Sequence, residues 1–144
     1  MPTVFLRSGP NFQQEISIGD HVIFADEPFD VGGDDTGPDP YSLLLSALGA
    51  CTAITMQMYA QRKQLPLQGL EIALTHASDY RKDCESCDDK PIKIAKLTVT
   101  ITLHGPLAPE QQERLHAIAK RCPLHQTLIG EIEVTHLVGE ATGA

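Results

Sequence analysis

Apolar and polar residues alternate in several stretches of the chain, and this pattern predicts β-strands. The stretches 3–7 and 12–26 alternate near the start, and the second contains a hairpin signal at Gly19-Asp20. Two longer stretches, 70–80 and 93–105, alternate in the second half, and the latter is rich in β-branched residues. A final alternating stretch, 131–138 (EIEVTHLV), predicts a last strand.

A long helix is predicted after the third strand. Asp39 suits the N-cap and Pro40 the first turn, and the helix should run to Lys63 and end before Pro66. Its first half, YSLLLSALGAC, is apolar on nearly all faces, which predicts a helix buried at the centre of the molecule. The preceding stretch 27–40 is rich in Gly, Pro and Asp and predicts a loop. Its glycines lack the following Lys-Ser/Thr of a phosphate-binding loop and favour a loop fitted around a dimer partner.

A second helix is predicted over 109–121, with Leu115, Ile118 and Ala119 facing inward. Pro123 should interrupt it and begin a short new helical turn, with Cys122 at its cap.

The predicted order is β-β-β-α-β-β-α-β in one domain, 1–144. Strands in sequential runs indicate an α+β fold with antiparallel pairing, not a doubly wound parallel sheet. A helix that is apolar on most faces needs cover on most faces, and one small sheet covers only one of them. A homodimer that shares its core around two such helices would supply the missing cover.

The net charge of −8 and the sequence pI of about 5.1 narrow the range of partners. An acidic chain is repelled by phosphate backbones and anionic membrane surfaces, so neither nucleic acid nor membrane is an expected partner. No signal peptide is recognisable, and no run reaches the roughly 18 apolar residues of a membrane span. We therefore expect a cytoplasmic protein.

Two of the four cysteines occupy distinctive positions. Cys51 lies in the most apolar run, whereas Cys122 follows an amphipathic stretch and precedes a proline. If the fold brings them together, they form a buried thiol pair that can cycle between dithiol and disulfide. Taken alone, a cysteine among Ala, Leu and Gly is more often a packing residue.

Cys84 and Cys87 form a C-x-x-C in an acidic loop. A redox pair, a zinc site, a loop disulfide and a plain exposed loop all remain open. A zinc site needs two further ligands, which only His76 and His104 could offer from the strands. Nearby acidic residues would raise the pKa of both thiols, which disfavours fast thiolate chemistry. We predict no metal and no cofactor.

The Pro40-containing helix start, the LLLSALGACT run ending in Cys51-Thr52, and the later Cys122-Pro123 resemble the osmotically inducible protein C (OsmC) and organic hydroperoxide resistance family. The resemblance covers nearly the whole chain. It implies an intertwined homodimer in which antiparallel sheets wrap around two central helices. It also implies a thiol-dependent peroxidase in which Cys51 attacks an organic hydroperoxide and Cys122 resolves the product to a disulfide.

The chain departs from the family pattern in one respect. Family peroxidases carry a glutamate one residue after the helix-start proline, where this chain has Tyr41. By the same resemblance, Arg7 is the candidate for the family's catalytic arginine, as the only arginine before the helix. The predicted site is catalytic Cys51, Cys122 and Arg7, with a substrate pocket of Tyr41, Leu44, Leu48, Thr52 and His125.

Two functions from different classes follow. The first is a peroxidase with a small-molecule hydroperoxide as substrate and a dithiol as reductant. The second, motivated by Tyr41, is a non-catalytic binding module of the same fold for an apolar or thiol-reactive small molecule.

Overall fold

The computed structural model describes residues 3–81 and 92–142 and contains antiparallel sheets and helices. The elements are β1 (Val4–Ser8), β2 (Gln14–Ile18), β3 (His21–Ala25), α1 (Pro40–Arg62), β4 (Gly69–Arg81), β5 (Ile92–His104), α2 (Pro109–Ala119) and α3 (Pro123–Ile129). A short 3₁₀ turn lies at Phe29–Val31. The predicted α+β class is confirmed.

The strands form two antiparallel sheets. One has the order β1-β2-β3, and its β2–β3 hairpin pairs Ile18 with His21 across the predicted turn at Gly19. Gly19 has a φ of 59°, which glycine adopts without strain. The other sheet is a long hairpin of β4 and β5, paired from Gly69↔His104 onwards.

The long helix begins where the sequence predicts. The side chain of Asp39 accepts a hydrogen bond from the Ser42 N–H at 3.4 Å, and Pro40 occupies the first turn. The helix ends at Arg62, one residue before the predicted end. It packs against α2, β4 and α3, so α1 is the element on which the other helices assemble.

The principal core lies between α1 and α2. Met56 and Leu115 are fully buried at its centre. The inward positions predicted for Leu115, Ile118 and Ala119 are confirmed. The buried cluster consists of Met56, Tyr59, Ala60, Leu107, Leu115, Ile118 and Ala119.

Within a single chain, the first half of α1 is not buried on nearly all faces, so that prediction is wrong for one copy of the chain. Leu48 and Gly49 are buried there, whereas Ala47 and Ala50 are exposed. In the second half, Ile54 and Met58 are 54% and 64% exposed. The sheet and the other two helices cover one side of the helix and leave an apolar stripe uncovered. By length and composition, α1 could also cross a membrane, with a mean hydropathy of 1.4 and 28% burial over an 18-residue stretch. The core helix of a globular protein meets the same criteria.

The predicted last strand is also wrong for the single chain. Residues 131–142 form neither strand nor helix, and all are exposed. Leu137 and Val138 are 90% and 99% exposed. An alternating segment becomes a strand only when a neighbouring sheet edge takes up its backbone hydrogen bonds, and this stretch pairs with no described strand.

A buried aspartate organises the loop that leads into α1. Asp26 is 2% exposed and accepts hydrogen bonds from the Glu27 N–H at 2.7 Å and from the Thr36 N–H and hydroxyl at 3.1 and 2.6 Å. The loop folds back so closely that a Cβ at Gly33 would overlap the Glu27 carbonyl group. Gly33 is therefore explained by a close approach within the chain itself, and a dimer partner is not needed to explain it.

Asparagine at position 26 should destabilise the protein and reduce its sensitivity to acid. The Thr36 hydroxyl has the largest effect on the pKa of Asp26 and lowers it. The Glu27 and Thr36 N–H groups lower it as well, whereas burial raises it. A carboxyl whose pKa is lowered by folding stabilises the folded protein when the pH is above its ordinary pKa of 3.8. This stabilisation is lost as the pH falls through the pKa of the folded state. We expect Asp26→Asn to lower the thermal midpoint at pH 7 by about 5 °C and to flatten its decline below pH 4.

Thermal unfolding followed by circular dichroism from pH 7 to pH 3 measures both effects. Asp30→Asn, an exposed aspartate of the same loop, is the matched control. Equal losses in the two variants would contradict the role given to Asp26.

Candidate functional site

The structure brings the two predicted catalytic thiols together. Cys51 lies in the middle of α1, Cys122 lies immediately before α3, and these two helices pack against each other. The two thiols influence each other's pKa, and both cysteines are free. Residues 71 positions apart in the sequence therefore share one site, as the sequence predicts.

Cys122 is the more deeply placed of the two. It is 0% exposed, whereas Cys51 is only partly buried. Pro123 begins α3, so Cys122 occupies the predicted cap position, and its sulfur accepts the His125 N–H at 3.4 Å. A molecule entering from solvent therefore reaches the sulfur of Cys51 more readily than that of Cys122.

The surroundings act in opposite directions on the two thiols. Burial raises the pKa of Cys51, and its hydrogen bond with Cys122 raises it further, while Leu124 N–H and Thr55 lower it. Burial also raises the pKa of Cys122, but hydrogen bonds from Cys51, the His125 N–H and other donors outweigh burial and lower it.

Two threonines of α1 accompany the thiols, one for each sulfur. Their hydroxyls donate to backbone carbonyls one helical turn earlier, Thr52 to Leu48 at 2.8 Å and Thr55 to Cys51 at 2.7 Å. Thr52 lowers the pKa of Cys122, and Thr55 lowers that of Cys51. Thr52 was predicted from the sequence. Thr55 was missed, although its spacing of four residues from Cys51 places it beside that side chain.

Three cavities are lined by neighbours of the two cysteines, although neither cysteine is among their lining residues. The first, about 320 Å³, contains Thr55 and ends against Pro123. It is lined by Thr55, Met58, Tyr59, Arg62, Ile118, Arg121 and Pro123. The second, also about 320 Å³, lies between β5 and the later helices and reaches Thr52 and His125. A third cavity of about 330 Å³ shares His125 and contains Leu48.

Three arginines near Tyr59 or the first cavity were not predicted. Arg62 and Arg114 stack on the Tyr59 ring, with guanidinium carbons 5.4 and 5.6 Å from its centroid. Arg114 also donates from Nε to the Tyr59 hydroxyl oxygen at 2.9 Å. This hydrogen bond, more than any other influence, lowers the pKa of Tyr59. Arg121 lines the same cavity directly before Cys122.

The predicted pocket residues divide into two groups. Leu48, Thr52 and His125 line the cavities beside the thiols. Leu44 is half-buried on α1 and lines none of these cavities. Tyr41 stands ten residues before Cys51, about 15 Å along the helix axis, and stacks on His76 at 4.2 Å between ring centroids.

Arg7 is not joined to the thiols within the chain. It lies on the exposed strand β1, with its guanidinium carbon 5.8 Å from the centroid of the Phe5 ring. No hydrogen bond or ion pair among the described residues connects it to Cys51 or Cys122. Its catalytic role stays a prediction.

No group of three or more metal-binding side chains occurs in the described parts of the chain, 3–81 and 92–142. Cys84 and Cys87, with their zinc, redox and disulfide alternatives, lie outside those residues. For that loop, the alternatives therefore remain those given by the sequence.

Comparison with known proteins gives a consistent result. The family model described as OsmC-like protein matches residues 32–137. A hydroperoxide reductase of Mycoplasma genitalium is 32% identical over 95 residues, 65% of this chain and 64% of that protein. The match thus spans somewhat less than two thirds of the relative's length.

Solved structures resemble the fold along most of its length. An OsmC-like protein from Mycoplasma pneumoniae has a TM-score of 0.70 and 22% identity, covering 90% of this chain and 88% of that one. An organic hydroperoxide resistance protein OsmC from Legionella pneumophila has a TM-score of 0.61 and 18% identity, covering 90% of each. At these identities the two structures support the fold.

Proposed function

The chain belongs to the OsmC-like protein family, and from that membership we propose that it is a thiol-dependent peroxidase that reduces organic hydroperoxides. The observation that carries the proposal is the pair of free thiols, Cys51 and Cys122, which lie on and next to the packed helices α1 and α3 with cavities nearby. The name of the M. genitalium relative, hydroperoxide reductase, supports the same reaction class.

In the proposed cycle, the sulfur of Cys51 attacks the distal oxygen of the hydroperoxide. The O–O bond breaks, the alcohol leaves with a proton, and Cys51 becomes a sulfenic acid. The sulfur of Cys122 then attacks that of Cys51, water leaves, and a disulfide forms. A dithiol reductant restores both thiols by exchange and is itself oxidised. The greater exposure of Cys51 assigns it the first step.

The cavity beside Cys51 favours a hydroperoxide with an organic substituent. Met58, Ile118 and Pro123 offer apolar contacts there, and Leu48 offers another on the opposite side of the pair. Hydrogen peroxide has no apolar group to bury in such a site, so the discrimination comes from the hydrophobic contact.

A homodimer and a cytoplasmic location complete the proposal. The uncovered apolar stripe of α1 and the unpaired segment 131–142 are surfaces that a second copy of the chain could cover. A dithiol that is regenerated in each cycle suits the reducing environment of the cytoplasm.

The binding module remains the second candidate because of one observation. Tyr41 takes the place of the family glutamate and stacks on His76 instead of offering a carboxylate. A protein of this kind would bind an apolar or thiol-reactive molecule without turnover.

Mild oxidation separates the two candidates. We expect one equivalent of tert-butyl or cumene hydroperoxide to convert the reduced protein to a Cys51–Cys122 disulfide, about 2 Da lighter. Mass spectrometry of proteolytic fragments locates the bond, and a coupled dithiol assay measures turnover. Free or randomly oxidised thiols without turnover would favour the binding module and end the peroxidase proposal.

A further inference from the structure

We propose that the arginines around Tyr59 form a binding site for a carboxylate, which anchors the anionic end of a small ligand of the thiol pair in the first cavity. This arginine site consists of Arg62, Arg114, Arg121 and the Tyr59 ring. No step of the proposed cycle uses these residues. The site rests on the proposed function and adds a ligand class to it: a small molecule with an apolar body and a carboxylate.

One aromatic ring holds two of the three guanidinium groups. The guanidinium carbons of Arg62 and Arg114 lie 5.4 and 5.6 Å from the centroid of the Tyr59 ring. Arg114 Nε also donates to the Tyr59 hydroxyl oxygen at 2.9 Å. Tyr59 is buried, so its ring is a fixed platform for both side chains. Arginines that are held in this way lose less side-chain entropy when they bind a ligand.

The three arginines have no acidic partner within residues 3–81 and 92–142. The ion pair found there joins His104 to Glu71. The hydrogen bond from Arg114 to Tyr59 uses one of the several N–H donors that each guanidinium carries. A chain with a net charge of −8 therefore places three arginines together without pairing them with a carboxylate of its described residues.

The first cavity extends from the neighbourhood of the thiols to the arginines. Thr55, one helical turn after Cys51, lines it together with Arg62. These two residues are seven positions apart on α1, about 10 Å along the helix axis. Arg121, which directly precedes Cys122, also lines the cavity. A volume of about 320 Å³ suits a small molecule that spans this length.

The lining of the first cavity combines apolar and cationic groups. Met58, Ile118 and Pro123 offer contacts for an apolar body, while Arg62 and Arg121 carry positive charge, and none of the lining side chains is acidic. A guanidinium binds a carboxylate through two parallel N–H···O bonds, and such charge-assisted bonds are stronger than neutral ones. The arginines should therefore discriminate between an acid and its neutral ester or amide.

Arg114 contributes from the adjoining cavity, about 530 Å³, which is lined in part by Tyr59, Lys63, Glu110 and Arg114. Its part in the site is to fix the ring and to add positive charge. The pKa of Tyr59 is lowered chiefly by the hydrogen bond from Arg114, and the charges of Arg114, Lys63 and Arg62 lower it further, against burial, which raises it. This direction agrees with a positive field around the ring, although Glu110 lies in the adjoining cavity.

Either reactant of the proposed cycle can supply the carboxylate. The hydroperoxide and the dithiol approach the same thiols in turn, so a carboxylate on either one reaches the same arginines. Each half-reaction is measured with one reactant alone, and the two half-reactions therefore distinguish the sources.

Binding of an unreactive probe tests the site without turnover. 4-Isopropylbenzoate has a carboxylate and an apolar body, and 4-isopropylbenzamide is a neutral molecule of similar shape. We expect the reduced full chain to bind the benzoate about 10-fold more tightly than the amide in an NMR titration. Arg62→Gln and Arg121→Gln should remove most of this difference. Lys96→Gln removes a positive charge on β5 that does not line the first cavity, and it should keep the difference. Equal affinities in the unsubstituted protein would overturn the inference.

Rates of the two half-reactions identify the reactant that carries the carboxylate. Oxidation of the thiols is measured with 4-(2-hydroperoxypropan-2-yl)benzoate and with its methyl ester. Reduction of the disulfide is measured with dimercaptosuccinate and with neutral dithiothreitol. We expect Arg121→Gln to slow the charged member of one pair about 10-fold and to leave the neutral member unchanged. Unchanged rates with all four compounds, or equal slowing of charged and neutral members, would contradict the inference.

A carboxylate of a second copy of the chain is the alternative occupant, because Met58 of this cavity also lies on the open face of α1. Light scattering on Arg62→Gln and Arg121→Gln should show an unchanged mass. Loss of a dimer in these variants would assign the arginines to the interface and overturn the inference. An absence of turnover in the unsubstituted protein would end the proposed function, whereas an arginine-dependent preference for 4-isopropylbenzoate would still establish the site.

Discussion

Replacing Cys51 by serine is expected to lower kcat/KM for cumene hydroperoxide by at least about 1,000-fold. The proposed first step is a bond between this sulfur and the peroxide oxygen, and a serine hydroxyl remains protonated in the same place. Cys122 cannot substitute for it, because its side chain is fully buried. The packing of α1 should survive, so the loss is chemical.

Steady-state assays with a dithiol reductant measure the effect. Cys84→Ser is the matched control, since it removes one thiol that the proposed cycle does not use by the same substitution, and it should keep the activity of the unsubstituted protein. If Cys51→Ser retains more than a tenth of that activity, or if Cys84→Ser loses as much, the thiol at the centre of α1 is not the nucleophile. Such a result would direct attention to the C-x-x-C loop.

Local signals in the sequence were sufficient to predict most of the helices and strands. Asp39-Pro40 marks the start of α1 by a side-chain cap and a fixed φ, both of which act within one turn. Pro123 likewise forces a new helix to begin and leaves Cys122 at its cap. These features depend on nearest neighbours along the chain, so no knowledge of the tertiary structure was needed to find them.

The pairing of Cys51 with Cys122 was predicted by family resemblance and could not have been derived from spacing. It depends on how α3 packs against α1, which no local pattern encodes. The same limit explains what was missed. The arginines around Tyr59 come from two helices, and the stack of Tyr41 on His76 joins a helix to a strand.

Two predictions, a buried first half of α1 and a final strand, are not met within one chain, and they share one physical origin. Both correctly recognised apolar patterns, but the helix needs the cover of a second copy and the strand needs a sheet edge. Ala47 and Ala50 remain exposed in the first half of α1, and residues 131–142 find no sheet edge within the described chain. A protein that completes its core with a partner typically has exposed apolar surface in the single chain, as this one has in two places.

Carboxylates on the open face of α1 are therefore expected to convert a dimer into monomers. The stripe runs along one side of the helix through Ala47, Ala50, Ile54 and Met58. A glutamate at both positions 54 and 58 would place two charges in an apolar interface, at a cost of several kcal/mol for each ion that remains unpaired. We expect the unsubstituted protein to have about twice the chain mass of 15.7 kDa and Ile54→Glu/Met58→Glu to have the mass of one chain.

Light scattering coupled to size-exclusion chromatography measures the masses. Gln61→Glu adds one such charge to an exposed, polar position of α1 and should remain dimeric. Because the substituted side chains face away from the core in the single chain, a monomeric variant should retain its helical circular dichroism, although its thermal midpoint should fall as the shared core is lost. A monomeric unsubstituted protein, or a double variant that stays dimeric, would mean that this face of α1 is not where two chains meet.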